Sequence, residues 1–202
     1  YKGQSVSCIY GMPSIIASIL KKIRPTEVYL TWDGKKHPRR LELLPGYKSK
    51  RKKIDPTFES IFRQKEVVIK MMRRLGITQV HDIGMEADDY IYSIVRANQK
   101  KSNTEIIIAS GDKDFHQLIR KNVSVWDDRK NLMITRKNCL KEFGYTPKQC
   151  VDYLCLIGDK SDEIPGFKGV GPKTALKILK DYESIPAYVA SLMKKDQKGT
   201  NT

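Results

Sequence analysis

The chain has 202 residues, enough for one α/β domain with a core of its own and a small appended module. Lysine and arginine number 38 against 23 acidic residues, a formal net charge of +15, which points to a polyanionic partner. Four cysteines (Cys8, Cys139, Cys150 and Cys155) without Cys-x-x-Cys spacing exclude a disulfide framework or zinc finger and fit a reducing, intracellular setting. No apolar run approaches the roughly 20 residues of a membrane span, so no membrane partner is expected.

In chain order, Gly11 to Ile23 reads as a helix with Pro13 near its start and Ile15, Ile16, Ile19, Leu20 and Ile23 on one face. Glu27 to Trp32 reads as a strand with Asp33-Gly34 at its end, where Asp33 is either a turn residue or a metal ligand. The segment 35–56 is the most basic. Nine of its residues are Lys or Arg, and it is read either as a solvated loop or as an arch that grips phosphate. Asp55-Pro56 then opens a long helix whose apolar face is Phe58, Ile61, Phe62, Val68, Ile69, Met72 and Leu75. Thr78 to His81 is a short strand.

The most informative stretch follows. Glu86-Ala87-Asp88-Asp89 starts a helix, because Tyr90, Ile91, Ile94 and Val95 supply its apolar face. Ile106 to Ala109 is a β-branched strand running into Ser110-Gly111-Asp112-Lys113-Asp114. Ligands of open α/β sheets bind outside the carboxyl ends of strands, so these five carboxylates are expected to converge there. Like charges at close range need cations between them. All-oxygen donors suit Mg²⁺ or Mn²⁺, whereas zinc would want the His or Cys that this stretch lacks apart from His116. An acidic helix start and a polar turn are the structural alternatives for the two motifs taken singly.

Phe115 to Arg120 reads as helix, and Val123 to Trp126 and Leu132 to Thr135 as strands joined by a hairpin through Asp127-Asp128. Helices and strands alternate, which predicts a mostly parallel sheet covered on both faces. A helix over Pro147 to Ile157, then Gly169-Val170-Gly171-Pro172-Lys173-Thr174, is a helix-hairpin-helix pattern in which glycines let backbone amides approach a phosphate. Asp159 and Asp162 precede that hairpin and could close a second metal site. Residues 1–145 are thus expected to form a core carrying the 35–56 arch, 146–185 the hairpin region and 186–202 a polar tail.

Together these residues resemble the structure-specific 5′-nuclease family, which includes bacteriophage flap endonucleases and the amino-terminal domain of bacterial DNA polymerase I. The resemblance runs from about Gly11 to Lys180. It rests on Trp32-Asp33-Gly34, Arg40-Leu41-Glu42 with Tyr47-Lys48 downstream, Glu86-Ala87-Asp88-Asp89, Ser110-Gly111-Asp112-Lys113-Asp114, Gly158-Asp159 through Gly166, and Gly169 through Ala175, in the family's order. It implies a PIN-like nuclease core and a metal-dependent hydrolase of DNA phosphodiesters. Flap endonuclease and 5′→3′ exonuclease activities would act on 5′-flap, branched or nicked duplex DNA in replication and repair.

It further implies two Mg²⁺ or Mn²⁺ ions about 4 Å apart. Asp33, Glu86 and Asp88 would serve the first, Asp112, Asp114 and Asp159 the second, and Asp89 and Asp162 would assist. Lys48 and Arg51, with Arg40, would neutralise the scissile phosphate, Tyr47 would stack on a base, and Lys50 and Lys52 would add arch charge. The turn Gly169, Val170, Gly171, Lys173 and Thr174 would hold duplex phosphates, with K⁺ as relatives place it. A monomer in the cytoplasm of a bacterium or a phage-infected cell is expected. Family members begin with an apolar strand ending in an aspartate; this chain starts at Tyr1, downstream of that point, and reads as a fragment. A PIN-like RNA-directed nuclease, or a DNA-structure-binding protein with an incomplete metal site, are the rival readings.

Overall fold

The computed structural model describes residues 6–34, 38–49, 56–81 and 84–199. The chain divides into two compact units, Tyr1–Ile94 and Val95–Thr202.

In the first unit, α1 (Ser7–Ile23) packs on α3 (Pro56–Arg74). The start of α1 lies earlier than the sequence suggests, so Pro13 falls inside the helix and removes one main-chain bond. What holds the extra turn is distant in sequence. Gln64 of α3, itself buried, accepts from the amides of Cys8 (2.8 Å) and Ile9 (3.2 Å) and so supplies the cap that Val6 cannot. The core is Trp32, Val68, Ile69 and Met72, with Ile9, Met12 and Ile16 against it. Ile15, Phe62 and Leu75, expected on apolar faces, are exposed instead. The packing stripe of α1 runs through residues 9, 12 and 16, which leaves Ile15 off it.

Strand β1 (Tyr29–Thr31) pairs in parallel with β2 (Thr78–Val80), Leu30 opposite Gln79, with α2 (Pro38–Leu43) and α3 between them. Trp32 extends the ladder by donating to the Val80 carbonyl at 3.0 Å. Its indole N–H donates to Gln79 Oε1 at 2.9 Å, while the Gln79 amide donates to Ile69 O. The chain leaving β1 is thereby fixed where Asp33 begins. Helix α4 (Ala87–Asn98) follows β2.

In the second unit, β3 (Ile106–Ala109) runs parallel to β4 (Val123–Asp127), which pairs antiparallel with β5 (Leu132–Ile134). The helix expected over Phe115 to Arg120 is a 3-10 helix, Lys113–Leu118. Helix α5 (Cys139–Phe143) ends at Gly144, whose φ of 79° is strained for any residue with a side chain. A 3-10 turn at Pro147–Gln149 leads into α6 (Cys150–Ile157). Then come the hairpin, α7 (Pro172–Tyr182) and α8 (Ile185–Gly199).

Two of the three strand pairings are parallel, and among the described residues they form two separate ladders. The region expected as a polar tail is helix α8. Asp152 of α6 accepts the Ile185 amide (3.4 Å), Ser184 Oγ accepts from Ala187, and the Tyr182 and Tyr188 rings meet at 5.0 Å. Among the described residues no helix is long and apolar enough to cross a membrane.

Candidate metal centre and nucleic-acid interface

In the first unit, the parallel pairing of β1 with β2 brings Asp33 to the start of α4. Asp33 Oδ1 accepts the Ala87 amide at 2.9 Å, and Gly34 N donates to Met85 O at 3.0 Å. Lys65 crosses the Trp32 ring, 5.4 Å from its centroid, and donates to Asp33 O at 3.1 Å. An aspartate read as turn or ligand is therefore also the residue that starts the acidic helix.

Glu86 sits one residue ahead of that helix and is 5% exposed. Its Oε2 accepts from Lys48 Nζ (2.8 Å), Arg40 Nη1 (3.0 Å) and the Tyr47 hydroxyl (3.2 Å), while its buried Oε1 has no partner among the described residues. Arg40 also forks onto Asp89, Nη2 to Oδ1 at 2.9 Å and Nη1 to Oδ2 at 3.1 Å. Asp89 Oδ2 in turn takes the Glu86 amide at 3.3 Å. As helical spacing suggests, Glu86 and Asp89 share one side of the helix start and both meet Arg40; Asp88 is half-buried.

Two cations offset two carboxylates here, which makes burial of Glu86 tolerable. Burial pulls the Lys48 ammonium and the Arg40 guanidinium down, but the carboxylates outweigh it and both stay above their ordinary values: Glu86 for Lys48, Asp89 and Glu86 for Arg40. Lys48 reaches Glu86 from a left-handed backbone (φ 54°). Tyr47, expected to stack on a base, is 8% exposed, lies beneath Lys48 and donates its hydroxyl to Glu86. Lys50, Arg51 and Lys52 lie outside the described residues.

In the second unit, Asp112 and Asp114 follow the carboxyl end of β3, both exposed. Asp112 Oδ1 accepts the Asp114 amide (2.9 Å) and Ser110 Oγ accepts that of Asp112 (3.1 Å), which sets the turn. His116 points the other way, into the core, with Nδ1 2.9 Å from the Tyr145 hydroxyl. Burial, then Lys113 and Lys130, lower it to about 4, so it is neutral at physiological pH and packed as a wedge rather than a ligand. Cys150 Sγ donates to the Lys113 carbonyl at 3.5 Å, and burial pushes its thiol up to about 12. These supports of the acidic turn carry no signal in the sequence.

Asp127 and Asp128 are tied within their hairpin. Asp127, 3% exposed, accepts Lys130 N at 3.2 Å and pairs with its ammonium at 3.6 Å. Asp128 accepts the Trp126 indole N–H at 3.4 Å.

Asp159, half-buried, also shapes its loop. Its Oδ1 accepts from Ser161 N and Oγ, both at 2.7 Å, and its main chain exchanges bonds with Ile164. Gly158 and Gly166 touch so closely that a Cβ on either would overlap the other's backbone. Gly169 (φ 79°) and Gly171 instead face open space at the tip, and Pro172 begins α7.

The donor set (Asp33, Glu86, Asp88 and Asp89 in one unit, Asp112, Asp114, Asp159 and Asp162 in the other) is all oxygen, and the orphaned Glu86 Oε1 suits a hard cation. Among the described residues no group of three or more His, Cys, Asp or Glu is gathered as a ready metal cage. Glu86 and Asp89 instead meet Arg40 and Lys48.

A family model described as the 5'-3' exonuclease N-terminal resolvase-like domain matches residues 1–144, and its C-terminal SAM-fold partner matches residues 145–201. The chain is 36% identical to a 5'-3' exonuclease of Aquifex aeolicus over 91% of its own length and 62% of that protein's. It is 34% identical to the thermostable DNA polymerase I of Thermus caldophilus, covering 95% of this chain and 22% of that one. The chain thus spans only part of the relatives it matches. Among solved structures, the bacteriophage T5 flap endonuclease in complex with DNA and metal ions superposes with a TM-score of 0.78 at 21% identity, covering 89% of this chain and 68% of that one. The catalytic core of Rad2 with DNA substrate gives 0.59 at 19%, covering 100% and 62%. These likenesses support a PIN-like resolvase fold with a SAM-like C-terminal part, and the family models settle the membership: the chain belongs to the 5'-3' exonuclease family.

Proposed function

We propose that the chain is the metal-dependent hydrolytic part of a 5′-nuclease, cutting DNA phosphodiesters at flaps, nicks or other 5′ single-stranded structures. The observation that carries this reading is the cluster at the start of α4, where Arg40 and Lys48 meet Glu86 and Asp89. Family membership supports it, as does the net charge of +15, which favours a polyanion.

Bound Mg²⁺ or Mn²⁺, held by the acids of the two units as grouped above, would supply a water of lowered pKa and positive charge against the leaving oxygen. The chain's own groups do the rest. Arg40 presents a planar fork that suits carboxylate and phosphate alike, so an arriving phosphate can replace Asp89 as its partner without loss of geometry. Lys48 stays charged beside Glu86 and can carry that charge to a phosphate oxygen as the transition state forms. Tyr47 orients Glu86 through its hydroxyl. The open tip from Gly169 to Gly171, with Lys173 and Thr174 on the first turn of α7, admits a duplex phosphate to backbone amides, with K⁺ as its counter-ion.

The test is cleavage of a 5′-labelled flap DNA by this chain in Mg²⁺ or Mn²⁺ and in EDTA. A metal-dependent cut near the junction is expected. Asp112→Asn with Asp114→Asn should abolish it while DNA affinity holds, and unchanged turnover would remove both from the mechanism. Equal affinity with and without metal, and no cut, would leave a DNA-structure-binding protein. Preference for an RNA flap would move the reading to an RNA-directed nuclease.

A further inference from the structure

The tip of the β4–β5 hairpin holds a cation that the site described above does not use. Parallel pairing puts Ala109 opposite Trp126, and Ser110 N extends the ladder to Trp126 O at 3.0 Å. The residues after Trp126 therefore run beside Ser110, Gly111 and Asp112. The Arg129 guanidinium lies directly on Gly111, so that even a methyl group at residue 111 would collide with it. Gly111 does not have a positive φ, so what its missing side chain leaves room for is the arginine head rather than a special backbone.

The tip is held firmly. Asp127 accepts Lys130 N, Asn131 N donates to Asp128 O at 3.2 Å, and Asn131 takes the left-handed backbone (φ 51°) that closes the turn. Both neighbouring acids are occupied, Asp127 by Lys130 and Asp128 by the Trp126 indole. Lys130 is drawn inward over the Phe143 ring, 5.3 Å from its centroid. Arg129 is exposed, and among the described residues no carboxylate pairs with it. An arginine seated on the turn that carries Asp112 and Asp114, and left without an anion while its neighbours are matched, is placed for an anion that arrives from outside.

We propose that Arg129 is a phosphate-binding residue, gripping the nucleic-acid strand one step from the Asp112–Asp114 turn. The inference rests on the nuclease reading for the identity of its ligand. Arg129 presents a fork that can take two oxygens of one phosphodiester, from a position against Gly111. The contact is to backbone, so it carries no base preference.

The experiment compares the chain with Arg129→Ala and Arg129→Lys, reading flap-DNA affinity by anisotropy in EDTA across a salt series, then repeating it with single methylphosphonates along the strand. Arg129→Ala should weaken binding about 10-fold and flatten the logarithmic salt slope by about one. One neutralised phosphate should cost the parent chain a similar factor and cost Arg129→Ala nothing more. Arg129→Lys should recover the slope but not the full affinity. Melting temperature should not move, since the side chain is exposed. An unchanged slope and an unchanged methylphosphonate profile in Arg129→Ala would overturn the proposal.

Cleavage is read separately. If the parent chain binds but does not cut, the nuclease reading fails and the slope and scan still decide Arg129. If it cuts while the slope is unchanged, Arg129 alone fails. If it binds no DNA, both fail.

Discussion

Arg40 shows how a residue read as a phosphate contact is also a structural one. It spans Glu86 and Asp89, and Glu86 is buried with one oxygen unpartnered. Removing one partner of a buried charge leaves the other uncompensated, so Arg40→Ala should destabilise the chain by about 2–3 kcal/mol in urea unfolding. Adding Glu86→Gln should return part of that loss, and additive losses would mean that the pair is not coupled. Under the proposed role of Lys48 at the transition state, Lys48→Ala should lower the cleavage rate more than DNA affinity; equal losses would assign it to ground-state binding.

His116 has a different consequence. Its folded value, about 4, lies below its ordinary 6.5, so the unfolded chain takes up a proton first as pH falls. The stability it confers is full above about pH 6.5 and fades towards pH 4, by on the order of 2–3 kcal/mol. Urea midpoints from pH 8 to 4.5 should fall more steeply for the parent chain than for His116→Gln, and parallel curves would refute this. None of these pairings is legible in the sequence. Arg40 lies 49 residues from Asp89 and His116 lies 29 from Tyr145. Only the helical spacing of Glu86 and Asp89 announces that one cation could serve both.

At the level of elements, amphipathic period and turn chemistry placed α3, α4, α6 and all five strands within a few residues, and Pro172 marked the start of α7. The failures share a cause. The first turn of α1 depends on Gln64 and the start of α8 on Asp152, so their caps come from other helices. A single-sequence reading sees only caps that lie nearby. Phe62 and Leu75 sit at apolar positions of a helical period yet face outward, because the period marks a face without saying how wide the partner is.

The hairpin before α7 separates packing from function among its glycines. Gly158→Ala or Gly166→Ala would drive a methyl into backbone and should cost more than about 3 kcal/mol, lowering the melting temperature before any DNA is added. Gly169→Ala meets open space and bears only its positive φ, so about 1 kcal/mol is expected. Its larger effect should be weaker duplex binding. If Gly169→Ala binds duplex as the parent chain does, the tip is a structural turn and no phosphate site.

Across the whole molecule, the two units are unequally built. Among the described residues the first buries five apolar side chains, Trp32, Tyr47, Val68, Ile69 and Met72, and its strand pair has three residues a side. The second buries a longer series, from Val95 through Leu179, around a three-stranded ladder and α6 and α7. Local stability follows buried apolar contact, so amides of α1, α3 and β2 should exchange hydrogen faster than those of β3, β4 and α6. This division bears on function because each unit holds its own share of the acids. Glu86 and Asp89 sit in the less buried unit and owe their placement to Arg40 and Lys48, whereas Asp112 and Asp114 rest on a turn buttressed by His116, Tyr145 and Cys150. Mg²⁺ or Mn²⁺ binding at Glu86 should therefore slow exchange at the start of α4 more than at the Asp112 turn, where little order remains to be gained. Equal protection at both, or protection confined to the second unit, would show that the first unit's acids are not the ones a metal organises.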